Sequence, residues 1–320
     1  MRSWGLIVGS LALVLGSFHS ARAQDWPARN VTVVVPLAAG TSVDSIARLV
    51  MQQVGQQVRQ SFIIENRPGA GGTLGTSYVA KAAPDGYTLL VYGAAASAAA
   101  IYAKLPYDTL ADITPVAALG QQPLVIVAPA GRFKSMADLV AQAKAKPGAL
   151  NFSTPGVGSA AHLGATKIML SAGFVAQHVP FRGDYIVEVV AGRIDFSVAP
   201  VGTVISLIRD GKLAALAVSA SKRSFALPDV PTLLEAGLKD DAIYPFYIPL
   251  FAPARTPAAI LDKLHAEVGT ALSAPTVHDR AAALGFEPMP MSRTEMREFF
   301  RRDVAANEAL VESAKIPKQQ

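Results

Sequence analysis

Four short segments of the chain combine small residues in a pattern that suits the binding of an anion. Each follows a β-rich run, consists mainly of Gly, Ala, Ser and Thr, and precedes a helical pattern; they span residues 38–42, 69–73, 93–97 and 153–159. The start of a helix presents unpaired N–H groups and the positive end of the helix dipole, and small side chains let a ligand approach the backbone. One such loop alone is ordinary turn and capping chemistry, but four together predict an anion site.

The neutral character of these loops distinguishes them from phosphate sites. None of the four contains Lys or Arg, and the phosphate-binding pattern G-x-x-x-x-G-K-[ST] is absent from the chain. Gly69, Gly71 and Gly75 miss the spacing of a dinucleotide-binding loop because Leu74 stands where a glycine would be needed. A carboxylate held by backbone amides and hydroxyls therefore fits these loops better than a polyphosphate.

Signatures of catalysis are missing from the sequence. It has no cysteine, no H-E-x-x-H pattern and no G-x-S-x-G pattern. Of its five histidines, His162 lies closest to one of the four loops, on the helical pattern that follows Ser159. Because the histidines define neither a catalytic triad nor a metal cluster, we predict a protein without catalytic residues, metal or cofactor.

Several side chains near the loops admit both a structural role and a ligand-binding role. His162 could be a half-buried histidine near the helix cap or could face a crevice. Asp184 could cap the next helix or meet an amine on the ligand. Asp44 lies in the first turn of its helix, where the helix dipole stabilises a carboxylate, and it could brace the loop or contact the ligand. Phe246 could pack in the core or line a crevice between lobes, and the sequence leaves these alternatives open.

The segments that position the loops alternate between strand and helix patterns. Runs typical of strands cover residues 31–35, 62–65, 89–92, 124–128, 150–153, 175–179, 195–199 and 213–219. Helical patterns cover residues 45–60, 72–83, 135–146, 158–171, 257–273, 276–284 and 292–314. Such alternation predicts an α/β fold with right-handed βαβ units on a largely parallel sheet, closed by a helical tail.

Two apolar, extended segments could connect separate lobes. They are residues 114–119 and 243–252, and neither is flanked by a Gly/Ser linker. We therefore predict two packed hinge strands between a first lobe of residues 25–123 and 250–320 and a second lobe of residues 124–249. Two lobes joined by such strands can close on a ligand.

The N-terminus has the pattern of a cleaved signal peptide. Arg2 supplies a positive charge, and residues 6–15 form an apolar run. Ala21-Arg22-Ala23 matches the small-x-small cleavage pattern, which predicts residues 1–23 as the leader and Gln24 as the first mature residue. The apolar run is shorter than the ~20 residues of a membrane span, so we predict a periplasmic protein rather than an anchored one.

Composition and charge exclude a disordered chain and argue against a nucleic-acid-binding one. Apolar residues make up 51% of the chain and charged residues 17%, which favours a well-buried body. Two of the 29 basic residues, Arg2 and Arg22, lie in the predicted leader, so 27 basic residues remain against 24 acidic ones. This excess is mild, and no basic stripe with interleaved aromatic residues accompanies it. We predict a monomer that binds a small molecule and no nucleic acid.

Seven motifs follow one another along the mature chain: VVPLAAG at 34–40, ENRPGAGG at 65–72, AAPDGY at 82–87, HVPFRG at 178–183, AGRIDF at 191–196, ALPDVPT at 226–232 and FAPA at 251–254. Taken in this order, they resemble the motifs of the Bug-type receptors, the periplasmic solute-binding proteins of tripartite tricarboxylate transport systems. Each motif by itself is modest, but the ordered set is highly specific, and the resemblance covers nearly the whole mature chain.

The resemblance implies a two-lobed type II periplasmic-binding-protein fold with two crossover hinge strands. It also implies small carboxylate ligands, such as amino acids, di- and tricarboxylates and aromatic acids, and membrane permease subunits as partners. Binding would use loop amides, hydroxyls and bridging waters. Carried over by position, the candidate contacts are Ala39, Gly40, Thr41, Ser42, Ser153, Thr154, Gly158, Ser159, His162 and Phe181. Asp184 joins them as a candidate because of its place after a strand.

Two other functions stay open on the sequence alone. One is a sensory ligand-binding subunit that presents its liganded form to a signalling kinase. The other, with less support, is an enzyme on the same two-lobed fold that uses His162 or Asp184. Turnover of a bound carboxylate would favour the enzyme, and a neighbouring gene for a permease or for a kinase would separate transport from sensing.

Three positions depart from the pattern of the family. Thr41 stands where a second glycine is usual, which adds a Cβ atom and a hydroxyl at the closest approach to a ligand. Pro249 replaces a common glycine in the second hinge strand, and the chain after Gly183 is shorter than usual, next to Asp184. These departures predict either a ligand that differs from those of typical members or weak binding.

Overall fold

The computed structural model describes residues 26–181 and 184–320, which form two α/β lobes around two five-stranded sheets. The predicted leader, together with Arg182 and Gly183, lies outside the described residues. The strands are β1 (Val31–Val35), β2 (Phe62–Asn66), β3 (Thr88–Val91), β4 (Ile113–Gln121), β5 (Leu124–Pro129), β6 (Asn151–Thr154), β7 (Gln177–Pro180), β8 (Phe196–Pro200), β9 (Leu213–Ser219) and β10 (Tyr247–Pro253). The α-helices are α1 (Ser42–Val58), α2 (Thr73–Ala80), α3 (Ala95–Ile101), α4 (Met136–Ala145), α5 (Ala160–Ala172), α6 (Tyr185–Val190), α7 (Val201–Arg209), α8 (Ala258–Ser273), α9 (Pro275–Ala283) and α10 (Arg293–Ser313).

The two sheets repeat one design. The first has the strand order β2-β1-β3-β10-β4, and the second has the order β7-β6-β8-β5-β9. In the first sheet β10 runs antiparallel to both of its neighbours, and in the second sheet β5 does the same, while the other strands of each sheet share one direction. The predicted α/β class with largely parallel sheets is thus confirmed, with one reversed strand in each sheet. We call each sheet and the helices packed on it the first and the second lobe.

The chain passes between the lobes twice. It leaves the first sheet at the end of β4 and enters the second with β5 after residues 122–123; it returns through residues 243–246 into β10. The two segments predicted as hinge strands therefore fall in β4 and around the start of β10, which are hydrogen-bonded neighbours in the first sheet. Pro249 lies beside a register irregularity in that pairing, where a residue without an N–H is tolerated.

The core of the first lobe explains why its elements form. Val33 and Val34 of β1 point to opposite faces and are both fully buried, as expected for a strand covered on both faces. Helix α1 buries Ile46 and Val50, four residues apart on one face, against this strand.

The long terminal helix α10 connects the two lobes. Its residues Met296, Phe300 and Val304 recur every four positions and pack in the first lobe, whereas Val311 belongs to the core of the second lobe. None of the helices in the described part of the chain is long and apolar enough to cross a membrane.

Candidate functional site

A cavity of about 630 Å³ lies between the two lobes. The first lobe lines it with residues at the starts of α1 and α3, and the second lobe with residues at the starts of α5 and α7. These helices follow strands β1, β3, β6 and β8, whose carboxyl ends are the usual place for a ligand in an α/β sheet. Five of the predicted contacts line the cavity: Gly40, Thr41, Ser42, Gly158 and Ser159.

The start of α1 offers free backbone donors to the cavity. Thr41 caps the helix, because its Oγ1 accepts a hydrogen bond from the N–H of Asp44 at 3.3 Å and donates to the carbonyl of Ala38 at 3.0 Å. The hydroxyl that departs from the family pattern is therefore already used within the loop. The N–H groups of Ser42 and Val43 precede the first helical hydrogen bond, and no described residue accepts from them.

Asp44 braces this loop from inside the lobe. Its side chain is buried, and its carboxylate accepts hydrogen bonds from the N–H of Gly40 at 2.9 Å, from Arg48 at 3.0 Å and from Asn66 at 2.9 Å. Burial alone would raise the pKa of Asp44, but the hydrogen bonds from Arg48, Gly40 and Asn66 together lower it below its usual value. The group stays ionised and holds the loop, with its charge balanced by Arg48.

The start of α5 is built in the same way. Ser159 caps the helix: its Oγ accepts from the N–H of His162 at 3.2 Å and donates to the carbonyl of Gly156 at 2.8 Å. The N–H groups of Ala160 and Ala161 have no acceptor among the described residues, and both residues line the cavity. They are the donors that this loop offers to a ligand.

Gly158 brings the two lobes into contact across the cavity. Its φ angle is +80°, a conformation that favours glycine, and a Cβ atom built on it would lie 2.7 Å from Cγ1 of Ile101 at the end of α3. Its N–H is donated to Nδ1 of His162 at 3.2 Å. Gly158 therefore lines the cavity with backbone atoms only, which leaves room for Ile101. Its N–H is already hydrogen-bonded within the loop.

Helices α3 and α7 complete the lining; the small-residue loop 93–97 predicted a helix there without giving its bounds, whereas no sequence pattern predicted α7. Helix α3 is mostly alanine, so it has no polar face, and α7 begins directly after the last residue of β8. Ser97 and Thr203 line the cavity from these helices, and the Ser97 hydroxyl donates to the carbonyl of Ala94 at 3.0 Å. Thr203 has no signal in the sequence, whereas Ser97 lies in one of the four small-residue loops.

The cavity is polar at the helix starts and apolar elsewhere, and its described lining carries no charged side chain. Ile101, Tyr102, Val157, Phe246 and Leu284 supply the apolar part. Among the described lining residues, helix N-termini are the source of positive potential. Such a site suits a carboxylate bound by neutral donors and a carbon skeleton packed against apolar walls.

The remaining predicted contacts lie behind or beside the cavity. Ser153 and Thr154 are fully buried at the end of β6, and Ser153 donates to the carbonyl of Tyr185 at 3.0 Å. His162 is only 6% exposed and stacks on another ring. Asp184 is exposed and caps α6 by accepting from the N–H of Ile186 at 3.0 Å. Like Ala39 and Phe181, these four residues do not line the cavity in the structure.

Two tyrosines, Tyr92 just after β3 and Tyr102 just after α3, shape the first-lobe wall, and neither was predicted from the sequence. Tyr92 and Tyr102 line the cavity, and their hydroxyls donate to the carbonyls of Gly71 and Ala70. These hydrogen bonds fix the glycine-rich loop 69–73. Position 71 requires glycine, because a Cβ atom there would collide with the Tyr102 hydroxyl. The only signal available in the sequence was the position of Tyr92 just after a strand.

A second cavity, of about 640 Å³, lies in the first lobe between β4, α8, α9 and residues 286–292. It is lined by one lobe only, and the start of α10, which also reaches it, is closed by a capping box between Ser292 and Glu295. Because the free donors converge on the cavity between the lobes, we assign the candidate site to that cavity, which we call the cleft.

Two α/β lobes joined by paired strands, with a cleft lined by helix starts from both, define a periplasmic solute-binding protein. The model of the tripartite tricarboxylate transporter family receptor matches residues 46–316, and the chain belongs to this family. The Bug-type resemblance of its motifs is thereby confirmed. Protein BugT of Bordetella pertussis is 32% identical over 304 residues, which cover 93% of each chain.

Solved structures agree with this assignment. The chain is similar to MatC from Rhodopseudomonas palustris with bound malate, at 33% identity and a TM-score of 0.78, over 89% of this chain and 100% of that one. It is also similar to the R. palustris protein Rpa4515 with adipate, at 29% identity and a TM-score of 0.83, over 92% of this chain and 100% of that one. The two-lobed periplasmic-binding-protein fold is therefore confirmed.

Proposed function

We propose that this protein is an extracytoplasmic receptor that captures a small carboxylate between its two lobes and delivers it to membrane permease subunits. The observation that carries the proposal is the convergence of helix starts from both lobes on one cleft without charged side chains in its described lining. A ligand held by both lobes stabilises their closed arrangement, which is the state that a permease can distinguish from the empty receptor.

The chemistry of the cleft supports a carboxylate as the ligand. In the first lobe the N–H groups of Ser42 and Val43 are open donors, and in the second lobe those of Ala160 and Ala161 are open donors. Hydrogen bonds from backbone amides to a charged acceptor contribute about 1.5–3 kcal/mol each. The structures with malate and adipate noted above concern dicarboxylates, which supports the same class here.

The lobes of the proposed receptor are residues 25–123 with 250–320, and residues 124–249, except that residues 247–249 lie in β10 of the first sheet. The protein would act as a monomer, with residues 122–123 and 243–246 as the places where the lobes move. The proposed contacts with the ligand are Gly40, Thr41, Ser42, Gly158 and Ser159, together with the open amides beside them. Binding would proceed without turnover and without a cofactor.

Titration calorimetry with a panel of carboxylates, including malate and adipate, tests the proposal. We expect at least one member to bind and to be recovered unchanged. Arg182→Gln should weaken that binding only about threefold, because backbone amides supply most of the attraction. Arg182 precedes α6 in the chain and is the nearest cationic residue to the predicted contact Phe181.

Two outcomes would contradict this function. Conversion of the ligand during the titration would favour the enzyme. Loss of all binding in Arg182→Gln would replace the amide-based site with a conventional salt bridge. Lys222→Gln, an exposed cation on the loop after β9, is the matched control for the loss of one positive charge.

The proposed location is the periplasm, reached with a signal peptide that is removed after Ala23. Mass spectrometry of the exported protein should find Gln24 as the first residue, with or without cyclisation, because Ala21-Arg22-Ala23 has the small residues that the cleavage site requires. An exported protein that retains Arg2 would show that the leader is not removed.

A further inference from the structure

Two histidines stack on each other behind the 153–159 loop. The ring centroids of His162 and His178 are 4.1 Å apart, and the rings are inclined by 14°. Phe152 stacks against His178 at 5.0 Å, and Phe196 continues the stack at 5.6 Å from Phe152. The four rings form a column from the core of the second lobe to the loop. Packing against the neighbouring rings therefore fixes the orientation of both histidines.

Both histidines hold backbone or side-chain atoms of the loop. Nδ1 of His162 accepts the N–H of Gly158 at 3.2 Å, so this nitrogen carries no proton. Nε2 of His178 lies 2.6 Å from Oγ1 of Thr154, which also contacts the N–H and the carbonyl of Gly156 at 3.2 Å each. All contacts of Thr154 are satisfied when His178 donates to it, its own hydroxyl donates to the Gly156 carbonyl, and it accepts the Gly156 N–H.

We propose that His162 and His178 are positioning residues, an uncharged stacked pair that holds the 153–159 loop so that the N–H groups of Ala160 and Ala161 face the cleft. Neither ring touches the ligand in this mechanism. The proposal deepens the carboxylate-binding function above and depends on it only for the binding measurements. It replaces the expectation that His162 contacts the ligand, since that ring is buried behind the loop.

The surroundings keep the pair uncharged. Strands β6 and β8 bring no titratable side chain to α5, and β7 brings His178. Asp241, before the second crossing, and Asp303, on α10, also face α5, where their charges act on Lys167. Burial lowers the pKa of His162 to about 3, with a further contribution from His178, and burial also lowers the pKa of His178.

Protonation would disrupt the loop for a geometric reason. A proton on Nδ1 of His162 would point at the N–H of Gly158, so the acceptor of that hydrogen bond would be lost. Two charged rings with centroids 4.1 Å apart would also repel each other. A loop held by neutral rings therefore keeps its shape across the pH range in which an ordinary histidine changes charge.

Two substitutions of His162 separate a positioning role from a ligand contact. His162→Asn places an amide oxygen close to the position of Nδ1 and cannot be charged, whereas His162→Leu removes the acceptor. For titration with adipate and malate, we expect His162→Asn to stay within about threefold of the wild type and His162→Leu to lose at least about tenfold. Circular dichroism checks that both variants fold.

Nuclear magnetic resonance tests the same idea without any carboxylate. Hydrogen exchange of the Gly158 N–H should be slow in the wild type and in His162→Asn and fast in His162→Leu. The ring signals of His162 should not shift between pH 5.5 and 8, and those of His178 should change at a lower pH than the signals of an ordinary histidine. If no carboxylate binds to the wild type, the proposed function fails while these measurements still decide the role of the pair.

Three results would overturn the proposal. Slow exchange of the Gly158 N–H in His162→Leu would show that the ring does not hold the loop. A His162 ring that changes charge near its usual pKa of 6.5 would show that the pair is not kept uncharged. Loss of binding in His162→Asn with the Gly158 N–H still protected would show that His162 contacts the ligand directly.

Discussion

Replacing Asp303 by asparagine is expected to remove a pH-dependent loss of stability that reaches up to about 3 kcal/mol at neutral pH. Asp303 lies on α10, partly buried, where its carboxylate accepts from the hydroxyl of Tyr247 at 2.9 Å and from Asn307 at 3.0 Å. Burial raises its pKa from 3.8 to about 6, despite the opposing effects of the hydrogen bond from Tyr247, the charge of Lys167 and the hydrogen bond from Asn307.

The direction of the effect follows from which state binds the proton. Below pH 3.8 the carboxyl group is protonated in the folded and the unfolded protein alike. Between 3.8 and about 6 only the folded state holds the proton, so the stability of the wild type falls as the pH rises through this window. Asparagine is neutral at every pH and lacks this loss. Partial contact of Asp303 with solvent makes 3 kcal/mol an upper bound.

Urea denaturation at intervals from pH 4 to pH 8 measures the effect. The free energy of unfolding of Asp303→Asn should gain on that of the wild type as the pH rises, with most of the gain between pH 4 and pH 6. Asp229→Asn, which removes an exposed carboxylate, controls for the loss of one negative charge. Parallel curves for the wild type and Asp303→Asn would show that Asp303 titrates alike in both states.

Replacing Gly158 by alanine is expected to weaken carboxylate binding roughly ten- to hundredfold. The new Cβ atom would lie 2.7 Å from Cγ1 of Ile101, at the end of α3, whose side chain packs with the core of the second lobe; we expect movement of α3 with the first lobe to relieve this overlap. The penalty, ~1–3 kcal/mol for an overpacked contact, therefore falls on the closed state in which the ligand is held. Since about 1.4 kcal/mol corresponds to a factor of ten, the loss of affinity follows. Alanine keeps the N–H that Gly158 donates to His162.

Two further variants identify the cause of that loss in calorimetric titrations with adipate and malate. Gly211 also has a positive φ angle, +70°, but a Cβ atom there meets nothing within 4 Å. Gly211→Ala should therefore carry the conformational cost of about 1–2 kcal/mol in stability and leave affinity unchanged. Ile101→Ala combined with Gly158→Ala should restore much of the binding. Equal affinities of Gly158→Ala and Gly211→Ala would refute the cross-cleft contact.

Elements with strong periodicity could be predicted from the sequence almost residue by residue. The run of valines at 31–35 is β1 as predicted, and the helical pattern at 292–314 is α10, Arg293–Ser313. The bounds of α3 could not be predicted because it is an alanine run without a polar face, and α7 was missed because it is short and begins directly after a strand. For a helix, the local pattern is periodic only where its two faces meet different surroundings.

The predicted loops reach the cleft, but not every predicted side chain does. Thr41 and Ser159 line it, whereas Ser153 and Thr154 turn into the interior at the end of β6. Successive side chains on a strand point to opposite faces, and both faces of β6 are covered, so a polar residue there bonds inside the lobe. Sequence position alone could not separate the residues that face a ligand from those that hold the loop.

The sequence by itself determined the α/β alternation, the four small-residue loops and the absence of a lysine or arginine within them. These features depend on residue types and local spacing, which act over a few residues. Only the tertiary structure decided that His162 faces His178 rather than the cleft, and that Gly158 meets Ile101. Such contacts join segments far apart in the chain, and their geometry depends on how the two lobes pack, which no local pattern encodes.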